Sequence, residues 1–421
     1  MLVLDTVLAK IYVFKDSIKP AHPLVRAPAL RARRRRVLPL PILPGSLATG
    51  SRRTPMNDHG PVPHIEYIGV RKTYDGSSWV VRDLDLSVRR GEFLTLLGPS
   101  GSGKTTCLMM LAGFEAPSAG EIRIDGAPVS GLPPDKRGIG VVFQNYALFP
   151  HMTVGGNLAF PLEVRGMAAP ERRERVARAL ALVRMEGFED RRPGQLSGGQ
   201  QQRIAIARAL VFEPELVLMD EPLGALDRRL REELQYEIRR IQRQLGVTVV
   251  YVTHDQQEAM ALSDRVAVFQ AGRIEQAAAP EVLYEEPERA FVASFIGENN
   301  LLPGRIRGIE RGICTVEVAG SEIQAAHVGG LAVGADTVVA IRPERVQINP
   351  AAGRLANMHD AKVEDLSFLG DHLRVRLTAC GTSSFIAKIP NVVGHGGILP
   401  GDKVRLGWAA LDCRALQSET Q

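Results

Sequence analysis

From about residue 63 the chain carries a regular pattern of apolar and polar positions. In "IEYIGVRKTY" (65–74) and "WVVRDLDLSV" (79–88) the apolar side chains recur at alternate positions, which predicts strands of an antiparallel sheet. "GEFLTLL" (91–97) is apolar almost without interruption, as a strand buried on both faces would be; a glycine-rich turn and the apolar helix "TTCLMMLAGF" (105–114) follow it. Residues 152–195 read as helical, with Val176, Leu180 and Val183 on one face of "ERRERVARALALVRM" (171–185). "LVLMD" (216–220) and "VTVVYVTHD" (247–255) are two more buried strands. Between them lies an amphipathic helix, "RRLREELQYEIRRIQRQLG" (228–246), lined by Leu230, Leu234, Ile238, Ile241 and Leu245 and stopped by Gly246. Strands and helices alternating in this way predict an α/β domain built on a parallel sheet and reaching to about residue 296.

The texture changes after "FIGENNLLPG" (295–304). Short β-like runs separated by Gly and Pro take over, in "CTVEVAG", "DTVVAIRPERVQI", "AKVEDLSFLGDHLRVRLTA", "SSFIAKIP" and "DKVRLGW". They predict a second, small all-β domain over 297–421, with a barrel as its expected form.

Composition narrows the classes. The 421 residues, 45% hydrophobic and 24% charged, suit a globular protein of two or three domains. No apolar run approaches the roughly 18 residues that a spanning helix needs, so a membrane role would pass through a partner. Cys107, Cys314, Cys380 and Cys413 stand far apart with no metal-type or redox-type pair, which favours a reducing, cytosolic compartment.

The net charge of +5 is unevenly spread: residues 1–55 hold eleven Lys and Arg against Asp5 and Asp16, a net of +9, which leaves −4 for the remainder. The globular part therefore lacks the basic footprint of a nucleic-acid binder. The leader, with "RARRRRVLPLPILPG", is basic and proline-rich, and its apolar stretch precedes the arginines, the reverse of a secretory signal. It is expected to be disordered or to precede a true start at Met56, with a flexible basic arm as the other reading.

The chemistry begins at "GPSGSGKTT". Gly98, Pro99, Ser100, Gly101, Ser102, Gly103, Lys104, Thr105 and Thr106 follow a predicted strand and open a predicted helix, the setting a phosphate-binding loop requires. Glycines let successive N–H groups curl round an anion at a helix N-terminus. Lys104 can reach the β- and γ-phosphates of a nucleotide, and Thr105 offers a hydroxyl to Mg²⁺. At the end of "LVLMDEP", Asp220 can hold Mg²⁺ through water, and Glu221 is the natural general base for an attacking water.

In order, the phosphate loop, the glutamine of "VVFQNYALFP", "LSGGQQQR", "LVLMDEPLGALD" and "VTHD" resemble the ATP-binding subunit of ABC transporters over about residues 63–296. The resemblance implies a P-loop ABC ATPase fold with an antiparallel β subdomain and a helical subdomain, binding ATP and Mg²⁺. It also implies roles: Gln144 touching Mg²⁺ and water and linking them to the membrane subunit, His254 contacting the γ-phosphate, and Tyr74 stacking on adenine. Ser197, Gly198, Gly199 and Gln200 would close over the γ-phosphate held by a second copy, where a side chain at Gly199 would meet that phosphate. With one copy of each motif in the chain, a head-to-tail homodimer with two ATP molecules at its interface follows. The family usually shows Ser-Ala-Leu-Asp after the acidic strand; here Gly224 replaces the serine, while Asp227 remains as a helix N-cap, an interface residue, or both.

The single cassette and the lack of long coiled coils argue against relatives that act on ribosomes or DNA. "NYALFPHMTVGGNLAFPL" resembles the surface on which importer ATPases receive permease helices, although Gly155 and Gly156 weaken the start of its helix. The C-terminal region resembles the transport-associated OB-like domain of many bacterial importers. With 13 basic against 12 acidic residues over 301–421, and only Phe368, Phe385 and Trp408 as aromatics, it is poorly equipped for nucleic acid. The expected partners are two transmembrane permease subunits and, indirectly, a periplasmic solute-binding protein, at the cytoplasmic face of a bacterial inner membrane. "LPPDKRGIGVVFQNYALFPHMTV" is most similar to ATPases of spermidine/putrescine-type importers, with sugar, glycerol phosphate and iron(III) importers as alternatives.

Overall fold

The computed structural model describes residues 63–224, 226–350, 355–391 and 397–418, so the basic leader lies outside the described residues. Strands β1 (Ile65–Thr73) and β2 (Trp79–Val88) pair antiparallel, as their alternation predicts, and β3 (Phe93–Leu97) is buried along its whole length. Helix α1 (Lys104–Ala112) opens directly on the glycine-rich turn. Next, β4 (Ala119–Ile124) and the short β5 (Ala127–Pro128) join the first sheet in the order β2-β1-β4-β5. After β6 (Gly140–Val142) the chain enters a helical segment, α2 (Val154–Val164), α3 (Ala169–Leu182) and α4 (Gly198–Leu210). It returns through β7 (Leu216–Asp220), α5 (Arg228–Leu245), β8 (Thr248–Thr253), α6 (Gln256–Leu262), β9 (Arg265–Gln270) and β10 (Arg273–Ala278). The second sheet has the order β10-β9-β3-β8-β7-β6 and is parallel except at β10.

The apolar stripe of α5 packs as its spacing predicts at Leu234, Ile238 and Ile241, but Leu245 stays 46% exposed. It lines an open cavity of about 610 Å³ with Leu182 and Leu210 instead of meeting the core. The start of α2 is firm despite its two glycines. Thr153 Oγ1 accepts from the Gly156 amide, and the Gly155 amide donates to the Glu189 carbonyl at 2.8 Å. A Cβ at Gly155 would lie 3.2 Å from that carbonyl oxygen, so glycine there permits the approach.

His64, 2% exposed at the start of the first sheet, joins the two sheets through Nδ1 and Thr248 Oγ1 at 2.6 Å. Burial holds its pKa below the ordinary value of 6.5, against the upward pull of Asp125. The unfolded chain takes up a proton first as pH falls, so this contribution is complete above about 6.5 and is lost as pH drops toward the folded value. Thermal melts from pH 7.5 to 5 should show a shallower acid decline for His64→Gln than for wild type; an unchanged slope would contradict this account.

Helices α7 (Pro280–Glu285) and α8 (Ala290–Phe295) lead into the C-terminal β region. There β11 (Asn300–Glu310), β12 (Ile313–Val318), β13 (Ser321–His327) and β14 (Asp336–Ile341) make most of a barrel. A second sheet follows, from β15 (Gln347–Ile348), β16 (Asn357–Phe368), β17 (His372–Ala379), β18 (Thr382–Pro390) and β19 (Lys403–Trp408). Finally β20 (Cys413–Gln417) comes back between β13 and β14 and closes the barrel. Both layers share one core, in which Trp408 is fully buried between Phe385 and His359.

The 5% exposed Arg342 joins the β region to the α/β part: its guanidinium donates to the carbonyls of Ile296 and Tyr284. Glu298 adds ion pairs to Arg374 and Lys388. Among the described residues no helix is long and apolar enough to cross a membrane.

Candidate nucleotide site

Four neighbouring strands, β6, β7, β8 and β3, deliver their C-terminal ends to one edge of the sheet, with Asp220 opposite Val252 and Leu97 opposite Thr253. That edge is where open parallel sheets bind ligands, because the loops and helix N-termini converge there. The glycine-rich loop leaves β3, Gln144 lies two residues beyond β6, Asp220 ends β7 with Glu221 next to it, and His254 follows β8.

The loop is shaped by close approach as well as by φ. A Cβ at Gly98 would fall 2.4 Å from the Phe269 carbonyl oxygen. Gly103, the N-cap of α1, has φ 101°, and a Cβ there would fall 2.6 Å from the Val80 carbonyl oxygen. Gly101 is left-handed but faces open space. Pro99, Ser100 and Thr105 are exposed, Ser102 and Lys104 are buried, and Thr106 is intermediate. The Lys104 ammonium donates to the carbonyls of Gly98 at 2.9 Å and Pro99 at 2.8 Å, so it lies folded into the loop. Burial lowers its pKa, while Glu221 and Asp220 pull it upward.

Thr105 Oγ1 donates to Asp220 Oδ1 at 3.0 Å, which brings the two oxygen-bearing side chains together. The Asp220 carboxyl is 8% exposed and is pushed up to about 6, first by burial and then by the neighbouring Glu221, against the Thr105 hydrogen bond and Lys104. Glu221 itself has φ 42°, a left-handed backbone that a non-glycine residue adopts at a cost of about 1–3 kcal/mol. Its carboxylate is held from two sides: Gln144 Nε2 donates to Oε2 at 3.4 Å and His254 Nδ1 lies 3.2 Å from Oε1. Three residues far apart in sequence thus meet within hydrogen-bond reach.

The remaining candidates belong to other elements. Tyr74 is 57% exposed, with the Lys72 ammonium 4.8 Å from its ring centroid. Ser197 and Gly198 are exposed at the start of α4. Ser197 caps that helix reciprocally with Gln200: Ser197 Oγ accepts from the Gln200 amide, and Gln200 Oε1 accepts from the Ser197 amide. Gly199 is buried within its own chain, and the first thing a side chain would meet there is Leu230, at 2.7 Å. The atoms met are the tip of a flexible side chain, so a Cβ at 199 would displace Leu230 and not collide with backbone. Asp227 Oδ1 accepts from the Leu230 amide at 3.0 Å and caps α5. A Cβ at Gly224 would stand 3.6 Å from the Glu221 carbonyl oxygen, so nothing in the structure demands glycine there.

Two side chains that the sequence reading passed over hold the segment after Gln144. Arg208, 9% exposed on α4, donates to the carbonyls of Ala147 at 2.6 Å and Tyr146 at 2.8 Å, two residues with left-handed backbone. Buried Asn157 on α2 exchanges hydrogen bonds with the Phe149 backbone. The signal for Arg208 was present: a lone basic residue inside the apolar run "IAIARAL".

A parallel sheet with a phosphate-type loop, an adjacent acidic pair and a helical insertion defines a nucleotide-hydrolysing domain of the ABC class. The ABC transporter family model matches residues 81–224, and a TOBE domain model matches residues 339–416. The spermidine/putrescine import ATP-binding protein PotA of Rubrobacter xylanophilus is 42% identical over 87% of this chain and 97% of its own length. The protein of the same name from Thermobifida fusca is 46% identical over 73% of this chain and 79% of its own. In structure, cbiO1 of Clostridium perfringens, part of the ABC transporter complex cbiONQ, aligns with TM-score 0.50 and 30% identity over 53% of this chain and 91% of its own. The chain belongs to the ABC transporter family, and within it to the ATP-hydrolysing subunits of importers.

Proposed function

We propose that the chain binds ATP with Mg²⁺ at the edge formed by β3, β7 and β8, hydrolyses it as half of a head-to-tail homodimer, and thereby drives polyamine import through two permease subunits. In this reading residues 63–296 are the ATPase and 297–421 the appended β domain, and the protein sits on the cytoplasmic face of a bacterial inner membrane. The observation that carries the hydrolytic part is the meeting of Gln144 and His254 on the Glu221 carboxylate beside the phosphate-type loop. The polyamine part rests on the PotA relatives, which match most of the chain.

The residues fit the group they would hold. Gly98 and Gly103 let the loop lie close against the Phe269 and Val80 carbonyls, where a Cβ would collide, and Lys104 exchanges its loop carbonyls for phosphate oxygens. Thr105, Asp220 and Gln144 supply the oxygen donors that Mg²⁺ favours, and the cation would neutralise phosphate charge. Glu221 takes the proton of the attacking water on a carboxylate oxygen, while His254 and Gln144 keep that carboxylate aimed. Catalysis is then mostly positioning and charge stabilisation. Tyr74 offers an exposed ring face for the base, and Ser197, Gly198, Gly199 and Gln200 cover the partner's γ-phosphate with a helix N-terminus.

The test is affinity purification from solubilised membranes, followed by reconstitution with what is captured. Two polytopic membrane proteins at comparable abundance, and ATPase activity stimulated by a spermidine-loaded solute-binding protein, are expected. Stimulation by a sugar, glycerol phosphate or iron(III) system would reassign the cargo. Ribosomal or DNA-repair factors without a permease would remove transport from the reading.

A further inference from the structure

We infer that Arg231 is a positioning residue for hydrolysis, tying the loop that carries Asp227 to the turn that carries His254. The inference rests on the role proposed above for His254. Arg231 lies in the first turn of α5, and its guanidinium addresses two segments, the loop at Leu226 and the start of α6 at Asp255 and Glu258. Nη2 donates to the carbonyl of Leu226, next to Asp227, at 3.0 Å. Nη1 donates to Asp255 Oδ2, next to His254, at 2.9 Å. Nε is buried, makes no hydrogen bond, and lies 3.8 Å from Glu258 Oε1.

These acceptors are themselves fixed. Asp255 uses its other oxygen to accept from the amides of Gln257 at 2.8 Å and Glu258 at 3.3 Å, which caps α6, and its own amide donates to Thr253 Oγ1 at 3.0 Å. Buried Glu258 accepts from the hydroxyls of Tyr251 and Thr253, both at 2.8 Å, on β8. His254 is therefore flanked in sequence by two network members, Thr253 and Asp255, while its own ring contacts Glu221.

An ion pair needs only one acceptor, whereas this guanidinium, 28% exposed, divides its donors between a carbonyl and a carboxylate. A planar fork that engages a backbone carbonyl and a carboxylate on different segments sets their relative position. The Leu226 side chain lies beside the start of α4, its Cδ2 3.5 Å from where a Cβ at Gly198 would stand. One guanidinium thus spans the part of the site that handles this chain's nucleotide and the loop beside Asp227, which the dimer would present to its partner.

The experiment compares R231M and R231K with wild type in the full-length protein, by steady-state ATPase kinetics and thermal melting. R231M is expected to lower kcat about 10–100-fold through misplacement of His254. The KM for ATP should stay within about two-fold, because neither Tyr74 nor the phosphate loop is touched. R231K keeps the charge but not the fork, so it should recover only part of the loss. In a His254→Ala background, read by single-turnover hydrolysis, R231M should cost less than about two-fold more.

A silent R231M beside a strongly impaired His254→Ala overturns this inference alone. Equal losses from R231M in both backgrounds also overturn it, since Arg231 would then act independently of His254. Wild-type turnover by His254→Ala overturns the role of His254 and this inference with it. Should R231M fail to fold, R231K at an unchanged melting temperature decides: full activity refutes the inference, and a several-fold lower kcat at constant KM supports it.

Discussion

Glu221→Gln is expected to bind ATP and almost cease to hydrolyse it. Glutamine preserves the length of the side chain and can still meet Gln144 and His254, but it has no carboxylate to receive a proton. Removing a general base costs about 10²–10⁴-fold in rate. The left-handed backbone at residue 221 and the contacts at 3.4 and 3.2 Å orient the group in advance, which favours the upper part of that range. If hydrolysis is what releases the dimer, this variant should elute as a dimer on size-exclusion chromatography with ATP and as a monomer without it. The substitution also removes one of the two causes that raise Asp220, so its carboxyl should fall from about 6 toward the ordinary range. Turnover at the wild-type rate would disqualify Glu221 as the base.

Gly103→Ala should damage both the fold and nucleotide binding. The residue combines φ 101° with a Cβ position 2.6 Å from the backbone oxygen of Val80 on β2, and backbone cannot move aside as a side-chain tip can. Strain at such a φ costs about 1–3 kcal/mol, and overpacking a similar amount, so the melting temperature should fall by several degrees or more. Relief is available by shifting the loop whose amides would, in the proposed function, face the phosphates, so ATP affinity measured calorimetrically should fall by about 10²-fold. Gly101→Ala supplies the control: its φ is 79° but nothing lies within 4 Å, so it carries strain without collision and should melt between wild type and Gly103→Ala. Identical melting of Gly103→Ala and wild type would show that the loop yields freely.

The comparison between these glycines shows where reading the chain stops. "GPSGSGKTT" announces a phosphate loop by its spacing and by the strand and helix around it, but nothing in the string says that Gly103 also faces β2, some twenty residues earlier in the chain. Gly199 shows the same boundary: the motif points to a partner's phosphate, while the packing adds Leu230 of the same chain. In the β region the alternating runs of β12, β14 and β16 to β19 were legible. β11, which contains Pro303 and Gly304, β13, and the five-residue β20 were not, and the closure of the barrel depends on all three.

What the sequence determined by itself is whatever is encoded in short spacing: the buried strands, the amphipathic α5, the phosphate loop, the acidic pair at the end of β7, and the cap at Asp227. Each depends on residues a few positions apart, so local periodicity and turn chemistry suffice to specify it. Only the tertiary structure decided which distant side chains meet. It set Gln144 and His254 on Glu221, turned Arg208 onto the loop after Gln144, and joined Leu226 to Asp255 through Arg231. Those contacts arise because parallel pairing brings the ends of β6, β7, β8 and β3 to one edge, and strand order is a long-range outcome of burying the apolar strands that no local pattern records.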